Sequence, residues 1–360
     1  MGDKLTGPPP TASKALVTGG AGFLGAHLSR ELLTRTELEV VVLDDLSGGY
    51  RENLPDGVTF VEGSVKDETL LEELFGEYRF DYVYHLAAYS AEGLSHFIRR
   101  FNYSNNLIGS ANLINQAVKH NTDCFVFMSS IAVYGDSPVP AREDMEPAPK
   151  DPYGIAKYAV EMDLEAAHEM FGLNHVIFRP HNVYGEYQNI GDRYRNVVGI
   201  FMNQIMKGQP MTIFGDGEQK RAFSYVGDII GPIARSAWME EAHDQVFNIG
   251  SDCPHTVNEL ADAVAEAMGK PDHPLEYLDA RNEVKVAYSD HAKAQRVFGN
   301  QTETLLLEGL EHMAHWVKRV GPREGQHFED IEIWKNMPPA WKKAMEEAVE
   351  ATPPGPADTR

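Results

Sequence analysis

Tyr153 and Lys157 in "DPYGIAKYAVEM" stand four positions apart at the start of a helical pattern, which places them on one helix face. A phenol with an ordinary pKa near ~10 is a poor base at neutral pH, but a neighbouring ammonium favours its phenolate. The pair suits proton transfer to and from a hydroxyl group. A second polar cluster, Ser129 and Ser130, ends the apolar run "CFVFMSS" where it enters a turn. Ile131 and Ala132, the next two residues, bring no carboxylate to that turn.

A tyrosine and a lysine at this spacing are common, so their weight comes from their company. In "TGGAGFLGAHLSRELL", Gly20, Gly22 and Gly25 fit G-x-G-x-x-G between the apolar run "KALVTGG" and a helical pattern. Such glycines permit a tight turn and close backbone approach, so a dinucleotide pyrophosphate can sit on the N-terminus of the helix that begins near Phe23. The next apolar run ends in "VVLDDLSGG", which puts Asp44 where a carboxylate accepts hydrogen bonds from the adenosine ribose. NAD is expected over NADP. A 2′-phosphate beside Asp44 would meet a repulsion of about 4 kcal/mol per charge pair at an effective dielectric of ~20, and no arginine adjoins that aspartate in sequence.

These groups need a scaffold. Up to about residue 180, "KALVTGG", "EVVVLDD", "VTFVEG", "YVYHLAA", "CFVFMSS" and "HVIFRP" alternate with amphipathic stretches. Continuous apolar runs separated by helices predict a Rossmann-type α/β fold with a doubly wound parallel sheet covered on both faces. Residues 14–180 are expected to form the NAD-binding unit, including the Tyr/Lys helix, and 181–320 mainly a smaller substrate-binding subdomain. The second stretch carries turn signals at "KGQP", "FGDGEQ" and "GSDCPHT" and helical patterns at 257–268 and 303–318. Residues 1–13 and the Pro-rich end of the 321–360 extension are expected to be disordered, and no role is legible in that extension.

Composition narrows the partners. A chain of 360 residues with 42% hydrophobic content can bury a large core, while a net charge of −22 opposes binding to nucleic acid or an anionic membrane surface. Cys124 and Cys253 do not suggest a disulfide framework. No apolar run approaches the ~18 residues of a membrane span, and "MGDKLTGPPPTASK" lacks the apolar segment of a signal peptide, so a cytoplasmic protein is expected.

"TGGAGFLG", "HLAA", "SSIAVYG", "YGIAK", "RPHNVYG" and "GDGEQKRAFSYV" occur in the order found in the extended short-chain dehydrogenase/reductase family, and the chain resembles its nucleotide-sugar epimerases of the UDP-glucose 4-epimerase type over residues 14–318. The resemblance implies that Gly19, Gly22, Phe23, Leu24 and Gly25 hold the pyrophosphate. It assigns Asp44 and Asp45 to the adenosine side, Ser64 and Val65 to the adenine stretch, and Leu86, Ala87 and Ala88 to the nicotinamide path. Tyr153 becomes the base, Lys157 the ribose-binding residue that lowers the tyrosine pKa, and Ser130, rather than Ser129, the partner of the sugar hydroxyl. Asn182, Asn196, Arg221 and Arg281 fall at positions that hold the diphosphate and sugar, with Phe214 on the nucleobase stretch. Two departures stand out: Ser64 replaces the family's usual aspartate beside adenine, and the phosphate motif near Arg281 is shortened to "ARNEV".

Related dehydratases and decarboxylases carry acids after the strand-end serine or threonine, and the 3,5-epimerases carry a cysteine. Ile131 and Ala132 supply neither. The resemblance therefore implies epimerisation of a UDP-hexose by transient oxidation at C4, rotation of the 4-keto sugar and re-reduction. A nucleotide-sugar reductase or dehydrogenase, a GDP-sugar 3,5-epimerase-like enzyme and a catalytically idle binding protein remain as alternatives. It also implies a homodimer through the helix at 105–118 and the helix beginning near Tyr153.

Overall fold

The computed structural model describes residues 13–194, 196–281, 284–299, 303–325, 328 and 331–342. Ser13, the first of them, is already buried, and its carbonyl accepts from the Glu39 N–H. The rest of the expected disordered N-terminus and the Pro-rich C-terminal end lie outside the described residues.

The six apolar runs form strands β1 (Lys14–Thr18), β2 (Glu39–Asp44), β3 (Thr59–Glu62), β4 (Tyr82–His85), β5 (Cys124–Met128) and β6 (His175–Pro180). Successive residues on a strand face opposite sides, so Val40 and Val42 join one apolar cluster while Val41 and Leu43 join the other. Both faces are apolar because both are covered. Helix α1 (Phe23–Arg35) lies on one side, and α2 (Glu68–Tyr78), α5 (Gly109–Lys119) and α6 (Pro152–Phe171) lie on the other. Between α2 and α5 come the short helices α3 (Glu92–Ser95) and α4 (Arg99–Tyr103).

All pairings in this sheet are parallel, in the order β6-β5-β4-β1-β2-β3, with a seventh strand, Gln245–Ile249, added beside β6. That strand was not among the six sequence runs. Its apolar residues are interrupted by Asn248, whose side chain is buried by hydrogen bonding to Tyr134 Oη and the Ala141 carbonyl. The fold class expected from the alternating pattern is the one observed.

Helix α6 has clear local causes. Asp151 caps it by accepting from the Gly154 N–H, Pro152 occupies its first turn, and Gly172 ends it at φ +74°. The helix expected at 105–118 begins earlier: α4 runs through a π turn at Ser104–Ile108 into α5. The helical patterns at 257–268 and 303–318 appear as Val257–Ala267, with a Thr256/Glu259 capping box, and Leu306–Val320. These two helices and Val197–Met206 pack in a separate apolar cluster with the strand Met211–Phe214.

Candidate active site

Strand order reverses between β1 and β4, and ligands in open parallel sheets bind beyond the strand ends at such a reversal. A cleft of about 620 Å³ lies there. Gly19, Gly22, Phe23, Leu24 and Gly25 line it, followed by Asp44, Asp45, Ser64 and Val65 and then Leu86, Ala87 and Ala88. Ser130, Tyr153, Lys157, Asn182 and Asn196 line it as well.

The glycine turn leaves no room for side chains. Gly19 has φ +71°, and a Cβ there would come within 2.8 Å of the Ala87 backbone; at Gly25 it would come within 2.2 Å of the Gly19 carbonyl. Gly22 begins α1 without a side-chain cap, leaving helix N–H groups at the cleft. Asp44 is held by the Ala21 N–H at 3.0 Å and the Leu46 N–H at 2.8 Å. Burial raises its pKa, and those backbone bonds oppose the rise. None of the described lining residues is arginine. A cradle without Cβ atoms, an uncapped helix start and paired carboxylates at the end of β2 fit a dinucleotide without a 2′-phosphate.

The floor beside Ala87 is fixed by a chain of donors. Ser110 donates to the Asn106 carbonyl, so it accepts from His85 Nε2 at 2.8 Å; His85 Nδ1 accepts from Thr18 Oγ1 at 2.7 Å, and Thr18 Oγ1 accepts from the Ala87 N–H. This assigns the tautomer from the network. Burial and then the Lys157 charge lower the His85 pKa to about 3, so the ring stays neutral.

Tyr153 and Lys157 enter from α6. Lys157 is 2% exposed, donates to the Met128 carbonyl at 2.7 Å, and stands 5.8 Å from the Tyr153 ring centre. Burial lowers the lysine pKa to about 7, with the Glu161 charge acting against it. Ser130 faces the cleft, and its Oγ accepts from the Ala132 N–H at 3.1 Å. Ser129 is engaged elsewhere, donating to Glu161, which also pairs with Arg179. Arg179 continues to Tyr134 Oη at 2.8 Å. Sequence reading missed this network, although Tyr153, Lys157 and Glu161 at successive four-residue steps carried the signal.

The substrate-side expectations divide. Asn182 and Asn196 reach the cleft with φ of +39° and +58°, and their amides donate to the carbonyls of Ala222 and Val183. Phe214, Arg221 and Arg281 are not among the lining residues. Arg221 donates to the carbonyls of Lys220, Val284 and Lys285, while the Arg281 guanidinium lies 3.1 Å from the Phe214 ring centre and 4.5 Å from that of Trp341. Lining residues with no sequence signal include Tyr89, Phe101, Asn105, Tyr194 and Phe328.

A seven-stranded parallel sheet with a glycine turn, a strand-end acid and a Tyr/Lys helix at one cleft defines an extended short-chain dehydrogenase/reductase. Residues 15–250 match the model of the NAD dependent epimerase/dehydratase family, and the chain belongs to that family. It is 33% identical over 307 residues to a putative UDP-glucose 4-epimerase of Methanocaldococcus jannaschii, covering 84% of this chain and 98% of the relative. A UDP-glucose 4-epimerase from Thermotoga maritima, solved with UDP-glucose, superposes with a TM-score of 0.81 at 35% identity, covering 85% of this chain and 99% of that one. The Thermus thermophilus UDP-glucose 4-epimerase, solved with NAD, gives 0.80 at 32% identity, with coverage of 85% and 99%. The chain is an enzyme of this family, and its cofactor is NAD. Among the described residues, no helix is long and apolar enough to cross a membrane.

Proposed function

We propose that the protein is a UDP-hexose 4-epimerase. The observation that carries this reading is the convergence of Tyr153, Lys157 and Ser130 on one cleft, at a turn where Ile131 rather than an acid faces the substrate space.

Gly19, Gly22, Phe23, Leu24 and Gly25 hold the pyrophosphate of NAD, Asp44 and Asp45 its adenosine ribose, Ser64 and Val65 its adenine, and Leu86, Ala87 and Ala88 its nicotinamide side. Bound there, NAD supplies the acceptor and then the donor of the hydride at sugar C4. Tyr153 takes the proton of the C4 hydroxyl while Ser130 Oγ fixes that oxygen. Lys157, whose ammonium is anchored on the Met128 carbonyl, holds the nicotinamide ribose and favours the phenolate. The 4-keto sugar turns within the cleft while its nucleotide stays anchored, and Tyr153 returns the proton to the oxygen presented by the opposite face. Asn182 and Asn196 hold the diphosphate and sugar, and Arg221, Arg281 and Phe214 move in to complete the nucleotide site.

Glu92 and Asp192 also line the cleft, from other elements, so elimination of water is the reading to test beside epimerisation. Purified protein given UDP-glucose with no added nicotinamide should yield UDP-galactose, resolved by chromatography and NMR. Product lacking the mass of water identifies a dehydratase, and a parallel reaction with added NAD that makes NADH in step with substrate loss identifies a dehydrogenase; either overturns the proposal. The homodimer belongs to the same reading: Ile108 on the π turn and Ile155 and Met162 on α6 are exposed apolar side chains on the two helices expected to pair. Light scattering that shows a monomer at micromolar concentration rejects it.

A further inference from the structure

The aromatic wall of the cleft is completed from the far end of the chain. Phe328 lines the cleft and meets Phe101 edge-on, with ring centres 4.8 Å apart, and Tyr89 at 5.3 Å. Tyr89 comes directly after Ala87 and Ala88 at the end of β4, and its backbone N–H and carbonyl are both held by the Asn106 side chain in the π turn. Asn106 in turn donates to Asn102, which donates to the Pro152 carbonyl at the start of the helix that carries Tyr153. Tyr89, and Phe101 on the helix of Asn102, therefore stand on the same framework as the Tyr/Lys pair, and Phe328 packs on both rings.

Residues 331–342, just beyond Phe328, are tied down rather than loosely draped. Glu332 accepts from the Arg100 and Phe101 N–H groups at 2.9 Å each, and the N–H groups of Glu332 and Ile333 both donate to the Phe97 carbonyl. Met337 and Trp341 are each 6% exposed and pack on Ala91, Leu94 and Ile98. Trp341 also stands edge-on to Tyr194, which lines the cleft, and faces Arg281.

We propose that Phe328 and residues 331–342 form a substrate-selecting strap: Phe328 is a specificity-determining residue for the sugar, and Glu332 and Trp341 are positioning residues that hold it over the cleft. The inference rests on the nucleotide-sugar reading and deepens it. An aromatic ring offers an apolar face to the C–H side of a pyranose and bars bulky substituents from the same space. Phe214, Arg221 and Arg281, to which the proposed function assigns the nucleotide, are not among the cleft-lining residues that Phe328 joins, so Phe328 is expected to act on the sugar rather than on UDP. Glu332 fixes the backbone of Phe101 and of the strap together, so its effect runs through the Phe101 and Phe328 rings.

Calorimetric titration of the NAD-loaded enzyme with UDP, UDP-glucose and UDP-N-acetylglucosamine tests this without requiring turnover. Phe328→Ala should weaken UDP-glucose about fivefold or more while leaving UDP within about twofold, and Phe328→Tyr should restore binding. The alanine variant should also narrow the preference between the two sugars and raise KM more than it lowers kcat. Glu332→Ala should reproduce the shift in sugar preference, and Glu332→Gln, which keeps one acceptor oxygen, should rescue part of it. Equal weakening of UDP and UDP-glucose, or no change in either, overturns the strap proposal. If the wild type binds the sugar nucleotides with this pattern but makes no epimer, the catalytic reading fails and the strap survives.

Discussion

On the cofactor wall of the cleft the polar side chains already have the partners their roles require: Asp44 has two backbone donors, His85 sits between Thr18 and Ser110, and Lys157 is anchored on Met128. On the substrate arm, Arg221 is bonded to the carbonyls of its own and neighbouring strands, and Arg281 lies between Phe214 and Trp341. On the proposed reading, the first wall is organised for a cofactor that stays through every cycle. On the same reading, the second exchanges internal contacts for ligand contacts each time, so the arginines there return only the difference between two sets of interactions. Catalysis should accordingly be far more sensitive to changes on the first wall than on the second.

The sharpest test of that asymmetry is Tyr153→Phe. Loss of a proton-transfer group is expected to reduce turnover by roughly two to four orders of magnitude, with NAD still bound and the fold unchanged by circular dichroism. Near-normal turnover in the folded variant would remove the phenol from the mechanism and the first wall's claim to dominance with it.

Lys157 ties the same wall to pH. Its pKa is lowered to about 7 in the folded protein from an ordinary value of 10.5, so between those values the unfolded chain holds the proton that the native chain has released. Stability of the NAD-free protein should therefore rise as pH rises from about 7 toward 10.5, by up to ~1.4 kcal/mol per pH unit, and lose this contribution on the way down. Denaturant melts at several pH values should show that slope in the wild type and a flatter one in Lys157→Met. Identical slopes would mean the lysine titrates near its ordinary value and that burial does not set its charge.

Asp44→Ser should act on the same wall with a smaller effect, weakening NAD roughly tenfold to a hundredfold and narrowing its advantage over NADP, because the two ribose hydrogen bonds to a charged acceptor go together. Reconstitution of cofactor-stripped protein with each dinucleotide measures this. An unchanged NAD to NADP ratio would contradict the placement of the ribose beside that carboxylate.

The two walls also differ in how far the sequence disclosed them. The glycine turn, Asp44, Ser130 and the Tyr153/Lys157 step were legible because each is set by local backbone geometry: φ +71° at Gly19, the end of a buried strand, one helix face. The parallel sheet was legible for the same reason, as apolar runs punctuated by turns. The strand Gln245–Ile249, the Glu161–Arg179 pair and the contact of Phe328 with Tyr89 were not, since each joins residues whose proximity only the folded chain creates. Arg281 shows the middle case: its position could be aligned with a phosphate-binding residue, but nothing local revealed that its guanidinium rests on Phe214 and Trp341.

Arg281→Ala is the substitution for which the comparison expects least. A charged hydrogen bond to a diphosphate contributes ~1.5–3 kcal/mol, while release of a cation–π contact costs ~0.5–2 kcal/mol, so the net contribution is about 1 kcal/mol. At ~1.4 kcal/mol per tenfold, KM for UDP-glucose should rise about fivefold and kcat should hardly move. If Arg281→Ala instead raises KM a hundredfold or more, that residue reaches the nucleotide without giving anything up, and the two walls are prepared alike.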